Sequence, residues 1–353
     1  MACSPHAANF NHELSFYMAP ASSFPCYMVR KDANGQASAG IEKITLDDLP
    51  PGEVLIHVAY SSLNFKDGLA TQGHPGVVRA FPHVPGIDCA GTVVESKSPD
   101  YRAGDEVIIT GYDLGAGHWG GFAEYVRVPA EWIVRPPNGL TGRDAMIYGT
   151  AGLTAAQCVT AIVDRGITPD RGPVLVTGAT GGVGSLSVAI LAKLGYEVEA
   201  ITGKPEHHAS LQKLGAHKVL DRSALGDDSD QPLLSTRWAA AVDTVGGRPL
   251  ANILRSLKYR GCVAACGLVA GTDIPTTVYP FILRGITLAG IDSAKCPRPE
   301  RLEMWEKLAG PWRIAQLSDV ADEITLDELP DRITKILAGK IVGRTIVAPA
   351  TRA

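Results

Sequence analysis

Residues 174–184 read VLVTGATGGVG. An apolar run, VLVT, turns through Gly178, Gly181 and Gly184, and VGSLSVAILAKL (183–194) then has helical periodicity. A pyrophosphate needs N–H donors at a helix N-terminus, and only glycine lets the backbone come that close. The stretch therefore assigns Gly178, Thr180, Gly181, Gly182, Val183 and Gly184 to a dinucleotide. The competing reading is a tight strand-to-helix turn with no ligand. A second strand, YEVEAIT (196–202), follows the helix and favours the dinucleotide.

The end of that second strand discriminates between cofactors. An NAD site usually carries an acid there for the ribose 2′-hydroxyl. Here the residues are Thr202, Gly203 and Lys204, with Glu199 inside the strand. A hydroxyl, a free backbone N–H and an ammonium suit a 2′-phosphate, so NADPH is expected over NADH; an ordinary solvated lysine is the other reading of Lys204. Farther along, HKVL, AAAVDTV, GCVAACG and ITLAGID supply four more strands between helices, the pattern of a doubly wound parallel sheet. Its strand ends nominate 243–247, 266–269 and 281–283, and among them Gly267, Leu268, Phe281, Ile282 and Leu283 as cofactor contacts.

Upstream, EVLIHVAY, GTVVES, DEVIITG and FAEYVRVP are short strands punctuated by Gly and Pro, as in a compact β-barrel-like domain. Downstream, RPERLEMWEKLAGPW is a helix, and GRTIVAP (343–349) is a closing strand that could rejoin the first sheet. The expected division is a loose extension over 1–22, a β-rich catalytic domain over 23–147 and 293–353, and a Rossmann domain over 148–292. The glycine-rich GHWGG (117–121) reads as a mobile lid or a plain surface hairpin.

The chain has 353 residues, 45% hydrophobic and 20% charged, enough for two cores without staples. A net charge of −4 with no long basic run argues against nucleic-acid or anionic-membrane partners. Seven scattered cysteines without a C-x-x-C motif read as reduced thiols of a cytoplasmic protein. No stretch reads as a membrane span, and the first 22 residues lack the pattern of a signal peptide.

In FPHVPGIDCAG (81–91), His83, Asp88 and Cys89 crowd into seven positions. They are too close along the chain to converge tetrahedrally on zinc, so no metal is expected; His83 reads as packed under a loop and Cys89 as a core residue. A β-rich first domain, a Rossmann domain opened by TGATGGVG and a returning tail resemble the medium-chain dehydrogenase/reductase superfamily, which implies a GroES-like catalytic domain beside the Rossmann domain. Zinc members carry Cys and a Gly-His-Glu where this chain has Asn64, Ile87 and Asp88, and a four-cysteine lobe that it lacks. The finer resemblance, carried by SSLNFKDGLA, VVRAFPHVPGIDCAGTV, IPTTVYPFILRGITLAGIDS and GRTIV, is to zinc-free quinone oxidoreductases and most closely to the acrylyl-CoA reductase family. It implies NADPH-dependent reduction of the C2=C3 bond of acrylyl-CoA to propanoyl-CoA.

Such a reaction needs hydrogen bonds to a developing thioester oxyanion and a proton for the α-carbon. The expected catalytic residues are Asn64, Asp67, Lys66 and Tyr60, with a polar capping turn and a strand core residue as the alternatives. A CoA ester carries phosphates, which nominates Arg79 and Arg284 for the substrate and Arg344 for the cofactor phosphate or a domain bridge. An apolar edge strand within 274–291 predicts a homodimer through the Rossmann domain. Reduction of a quinone or a free α,β-unsaturated ketone or aldehyde is the second functional reading, and a non-catalytic NADPH-binding or RNA-binding protein is the third.

Overall fold

The computed structural model describes residues 22–350. The expected extension over 1–22 falls almost entirely outside the described residues.

In chain order the elements are β1 (Phe24–Lys31), β2 (Ala37–Ile44), β3 (Val54–Leu63), α1 (Phe65–Thr71), β4 (Asp88–Ser96), β5 (Glu106–Thr110), β6 (Tyr125–Val128) and α2 (Gly142–Val163). Then come β7 (Val174–Val176), α3 (Gly182–Lys193), β8 (Val198–Ile201), α4 (His208–Lys213), β9 (Lys218–Leu220), β10 (Trp238–Asp243), α5 (Gly247–Ser256) and β11 (Leu257–Ala265). The chain closes with α6 (Tyr279–Arg284), β12 (Thr287–Gly290), α7 (Arg298–Ala309), β13 (Ala321–Thr325), α8 (Leu329–Leu337) and β14 (Arg344–Ala348).

The expected α/β architecture is present. Six parallel strands run in the order β12-β11-β10-β7-β8-β9. Their central members are buried on both faces, as helices on each side of a parallel sheet require. The first domain's sheet runs β13-β14-β3-β4-β5, with β6 on β3. The tail does rejoin it: β14 pairs antiparallel with β3, Thr345 opposite Leu63.

Several elements differ from the sequence reading. β1, β2 and β13 were not expected; β1 and β2 form their own antiparallel ribbon, which Val29 ties to His83. Residues 274–290 hold a short helix, α6, before a four-residue edge strand, because Pro280 suits a first helical turn. α2 has 22 residues and is apolar and long enough to cross a membrane by composition, contrary to the sequence reading, but 72% of its apolar window is buried against both domains. It kinks at Gly149, whose φ of +51° is a conformation side chains rarely adopt. The expected domain boundary at 147/148 falls beside this kink.

Candidate active site

The crevice lies outside the C-terminal ends of β7, β10 and β11, where the first domain's β3–α1 turn and β14 face the glycine loop. Two constructions meet there, one made of backbone and one of side chains.

The backbone construction is the turn from β7 into α3. Gly178 has φ +56°, and a Cβ on Gly184 would stand 2.3 Å from the Gly178 carbonyl oxygen. Loop and helix therefore close on each other only without side chains, leaving the first N–H groups of α3 free of intrahelical partners. Gly343 N–H donates to the Thr180 carbonyl at 2.9 Å and pins the tail to this loop. At the end of β8, Thr202 is buried and its Oγ1 accepts the Lys204 N–H at 3.1 Å, folding a tight corner. Lys204 Nζ donates to the Ile341 carbonyl at 2.9 Å, and burial lowers its pKa. Glu199 is occupied elsewhere: its Oε2 accepts the Trp238 indole N–H at 2.7 Å.

Sequence reasoning missed Arg222. Its guanidinium lies against Gly203, with Nε 2.3 Å from where a Cβ would be. Arg222 is exposed, and among the described residues no side-chain hydrogen bond or salt bridge holds its guanidinium, although its charge helps keep the neighbouring Asp221 carboxyl low. Only its place just after β9, whose C-terminal end borders the corner, would have pointed to it. Glycine loop, Thr202, Gly203, Lys204 and Arg222 together fit a dinucleotide with a 2′-phosphate: uncapped helix N–H groups for the pyrophosphate, and two cations where NAD sites carry an acid.

The side-chain construction centres on Asp88, which is fully buried. Its Oδ2 accepts from Ser62 Oγ at 2.6 Å, Asn64 Nδ2 at 2.7 Å and Thr150 N–H at 2.9 Å, and its Oδ1 accepts from Thr150 Oγ1 at 2.5 Å. Asp88 thus caps the segment of α2 that restarts after the Gly149 kink. Arg344, 3% exposed, lies 3.9 Å from the same oxygen and donates to Ser62 Oγ, Asn64 Oδ1, Leu63 O and Ile147 O. Burial pushes its pKa down while Asp88 and Asp67 hold it up, and a guanidinium stays charged in either case.

These bonds change the expected roles. Asn64 holds Asp88 and the Ser62 carbonyl with its amide nitrogen, so it is a positioning residue rather than a hydrogen-bond donor to substrate. Asp67 is fully buried; its carboxylate accepts from the N–H groups of Asn64, Gly86 and Ile87, which fastens α1 to the 86–87 turn. Burial pushes its pKa up to about 7 against those three donors, and it relays no proton to an open cleft. Lys66 and Tyr60 are half-buried and their side chains have no hydrogen-bond or salt-bridge partner among the described residues; Tyr60 packs on the main core. Arg344 is not a free phosphate ligand. Its side chain lies beneath the glycine loop, 3.1 Å from where a Cβ on Gly182 would be, as a fixed charge bridging the domains.

Among the remaining candidates, Gly267 and Leu268 follow β11 at the crevice, with Leu268 64% exposed. Phe281, Ile282 and Leu283 do not line it within one chain. They precede β12, at the N-terminal end of the sheet, whereas the crevice is at the C-terminal ends. Arg284 is likewise corrected: it donates to the carbonyls of Arg255, Leu257 and Leu234 and so is a structural clamp, not a substrate ligand. Arg79 is solvent-facing and only loosely paired with Asp113 at 3.7 Å.

The 117–121 loop is pinned rather than free. His118 bonds the Pro51 and Trp119 carbonyls, Trp119 donates to Pro82, and Gly120 and Gly121 lie against the backbone of Gly86 and Asp88. His83 is buried with Nε2 3.0 Å from the Gly115 carbonyl, and Cys89 sits in the apolar core. Among the described residues, no three His, Cys, Asp or Glu side chains group as metal ligands would.

The alcohol dehydrogenase GroES-like domain family matches residues 50–138, and the zinc-binding dehydrogenase family matches 182–310. Acrylyl-CoA reductase AcuI of Ruegeria pomeroyi is 47% identical over 325 residues, 92% of this chain and 98% of its own. The yhdH oxidoreductase of Salmonella enterica, solved in complex with NADP, superposes with a TM-score of 0.89 at 45% identity, covering 92% of this chain and 99% of that one. The yhfP protein of Bacillus subtilis, solved with NAD bound, gives 0.90 at 44% identity, covering 93% and 100%.

Proposed function

This chain belongs to the acrylyl-CoA reductase branch of the medium-chain dehydrogenase/reductases, and from that premise we propose how its own residues serve the reaction. It is an NADPH-dependent acrylyl-CoA reductase, converting the C2=C3 bond of acrylyl-CoA to the saturated propanoyl-CoA. The observation that carries the reading is 47% identity, over 92% of the chain, with an acrylyl-CoA reductase, joined to a cofactor corner that suits a 2′-phosphate.

NADPH, when bound, supplies the hydride for the β-carbon. The N–H groups of 182–184 would hold its pyrophosphate, and Lys204 and Arg222 its 2′-phosphate. Arg344 adds fixed positive charge under the loop, and Asp88 keeps that charge in place by fixing Ser62, Asn64 and the α2 kink at once. Lys66 at the start of α1 and Tyr60 near the end of β3, which have no side-chain hydrogen-bond partner among the described residues, are the candidates to meet the thioester oxyanion and to hold the proton destined for the α-carbon. Arg79 is the cation available to CoA phosphates.

We propose a homodimer through the β12 edge. Val278, Tyr279, Ile282 and Leu283 are each 46–67% exposed beside that strand, whose outer edge is open in the single chain. Antiparallel pairing about a twofold would cover them and bring α6 of one copy to the crevice side of the other. The described cysteines are all free thiols, which supports the cytoplasm as the compartment.

The test is NADPH oxidation with acrylyl-CoA, beside NADH, crotonyl-CoA and a simple quinone, with a chelator present. NADPH-specific turnover of acrylyl-CoA that survives the chelator is expected. Turnover of the quinone alone would replace this reading, and loss of all turnover with the chelator would reinstate a metal. Elution as a monomer in sizing experiments would remove the dimer.

A further inference from the structure

The order of the Rossmann sheet fixes which way a bound dinucleotide runs. The corner for the 2′-phosphate stands at β8 and β9, to one side of the glycine loop that follows β7. The nicotinamide half must therefore run the other way, over the C-terminal ends of β10, β11 and β12. The last wall on that path is 291–296, the segment that leaves β12 for α7. Ile291 N–H donates to the Ala265 carbonyl at 3.0 Å, so the segment departs from the crevice end of the sheet.

One side chain holds that wall from behind. Arg301, on α7, is completely buried. Its Nη2 donates to the carbonyls of Ser293 and Ala294, each at 3.1 Å, and of Cys296 at 3.4 Å. Its Nη1 donates to the Thr110 carbonyl at 2.6 Å and to Thr110 Oγ1 at 3.1 Å. Thr110 ends β5 and lies opposite Asp88 in the β4–β5 pair. One nitrogen thus grips the wall beyond β12, and the other grips the first domain's sheet at the register of Asp88. The two segments also touch directly. Tyr112 N–H donates to the Ala294 carbonyl at 2.8 Å, and a Cβ on Gly111 would stand 3.0 Å from Ala294 Cα. From α2, Thr154 Oγ1 lies 2.7 Å from Ser293 Oγ and 2.7 Å from the carbonyl of Thr150, the residue that bonds Asp88.

Every oxygen that Arg301 binds is neutral, and a buried charge without an ionic partner is costly. An apolar side chain could fill the same space without that cost. It could not hold oxygens from β5 and from 293–296 in one rigid planar fork. We propose that Arg301 is a positioning residue for hydride transfer. By fixing 293–296 against Thr110, it sets the gap between a nicotinamide on the Rossmann side and an enoyl group on the first-domain side. Arg301 touches neither of them and acts through the wall it holds. The inference rests on the NADPH-dependent enoyl reduction proposed above.

The expected signature is a loss in the chemical step without a loss of cofactor. Reacting atoms must approach to about 3–3.5 Å, and ~1 Å of misplacement costs on the order of 10²-fold in rate. The glycine loop, Lys204 and Arg222 lie toward the other edge of the sheet and keep their hold on the phosphates.

The experiment compares full-length wild type with Arg301→Lys, which keeps the charge but loses the fork. Turnover of acrylyl-CoA is measured with NADPH and with NADPH deuterated at the transferred position, and NADPH affinity by fluorescence titration. Arg301→Lys should lose kcat on the order of 10²-fold, with a larger deuterium effect on kcat and nearly unchanged NADPH affinity. An unchanged kcat would overturn the proposal, as would a parallel loss of NADPH affinity. A lower kcat with an unchanged deuterium effect would overturn it too, because hydride transfer would not be the step that slowed. If Arg301→Lys fails to fold, Thr110→Val decides: it removes one acceptor and should give the same signature at smaller size, and wild-type values for it would overturn the proposal. Wild type that turns over no acrylyl-CoA would overturn the functional reading and this inference with it, whereas an active wild type beside an equally active Arg301→Lys overturns the inference alone.

Discussion

The two halves of the crevice are built from different materials. On the Rossmann side, the groups offered to the cofactor are mostly peptide N–H groups, and what the residues contribute is the absence of side chains at Gly178, Gly181 and Gly184. On the first-domain side, a carboxylate, an amide, two hydroxyls and a guanidinium bond one another in a dry interior, gathered from positions 62, 64, 88, 150 and 344. A backbone site tolerates change in any side chain that points away but no added Cβ. A side-chain cluster fails when any single member leaves its partners buried and unsatisfied.

The sharpest test of that contrast is Asp88→Ala. It strands the Arg344 guanidinium, the Thr150 N–H and the Asn64 amide at once, and removing one partner of a buried pair costs about 3–5 kcal/mol. Chemical denaturation should show a loss of that size, with retained secondary structure in whatever remains folded. A loss below about 1 kcal/mol, the value typical of exposed pairs, would mean the cluster is far wetter than its burial implies. Replacing Asp88 and Arg344 together should be milder than Asp88→Ala alone, because no charge is left unpaired.

The same division explains what was legible in the sequence. The glycine loop could be read because its requirement is local: strand, three glycines and helix are contiguous, and the periodicities on either side name themselves. The corner at Thr202–Lys204 followed from its offset within one βαβ unit. Arg344 and Asp88 come together only because β14 returns to pair with β3, a contact between residues more than 250 positions apart. Nothing near Asn64 or Asp67 in the chain reveals whether their polar atoms face a cleft or one another. The misplacement of Phe281–Leu283 has the same origin: a short apolar run fits strand and helix alike, and its end of the sheet was set by a helix that periodicity over six residues cannot resolve.

On the backbone side, Gly184→Ala should be the most damaging small change. Its Cβ would meet the Gly178 carbonyl oxygen at 2.3 Å and Ala179 Cα at 2.8 Å, and both obstacles are main chain. Overpacking of this kind costs about 1–3 kcal/mol, and here the strain falls on the phosphate-binding turn. NADPH affinity by fluorescence titration should fall more steeply than thermal stability. An unchanged affinity would show that the loop does not carry the pyrophosphate.

Arg222→Ala tests the one cation in the corner that the sequence did not advertise. Its guanidinium is exposed against Gly203 and, among the described residues, in no salt bridge, so its removal should leave folding nearly unchanged. A lost hydrogen bond to a charged group is worth about 1.5–3 kcal/mol, or roughly 10–100-fold in NADPH affinity. NADH affinity should not fall in parallel, since NADH has no 2′-phosphate. Equal loss for both cofactors would place Arg222 outside that pocket.

The smallest effect concerns His83, which belongs to neither construction but props the turn that Asp67 fastens. Its ring is buried against the Gly115 carbonyl, and desolvation lowers its pKa from 6.5 to about 4. The neighbouring His118 disfavours its protonation further. Between those two values the unfolded chain binds a proton that the native chain refuses. The contribution of His83 to stability is therefore fully present above pH 6.5 and drains away as pH falls toward 4, with a slope of at most about 1.4 kcal/mol per pH unit. His83→Gln keeps an N–H for the Gly115 carbonyl but cannot titrate. Unfolding free energies measured for both proteins from pH 7 to 4 should converge as pH falls, the wild type losing its advantage within that window. Parallel curves would mean that His83 titrates alike in both states and that the turn beneath it is open to water. In that case Asp67, fastened to the same turn, would lose the dry surroundings that push its own carboxyl up to about 7.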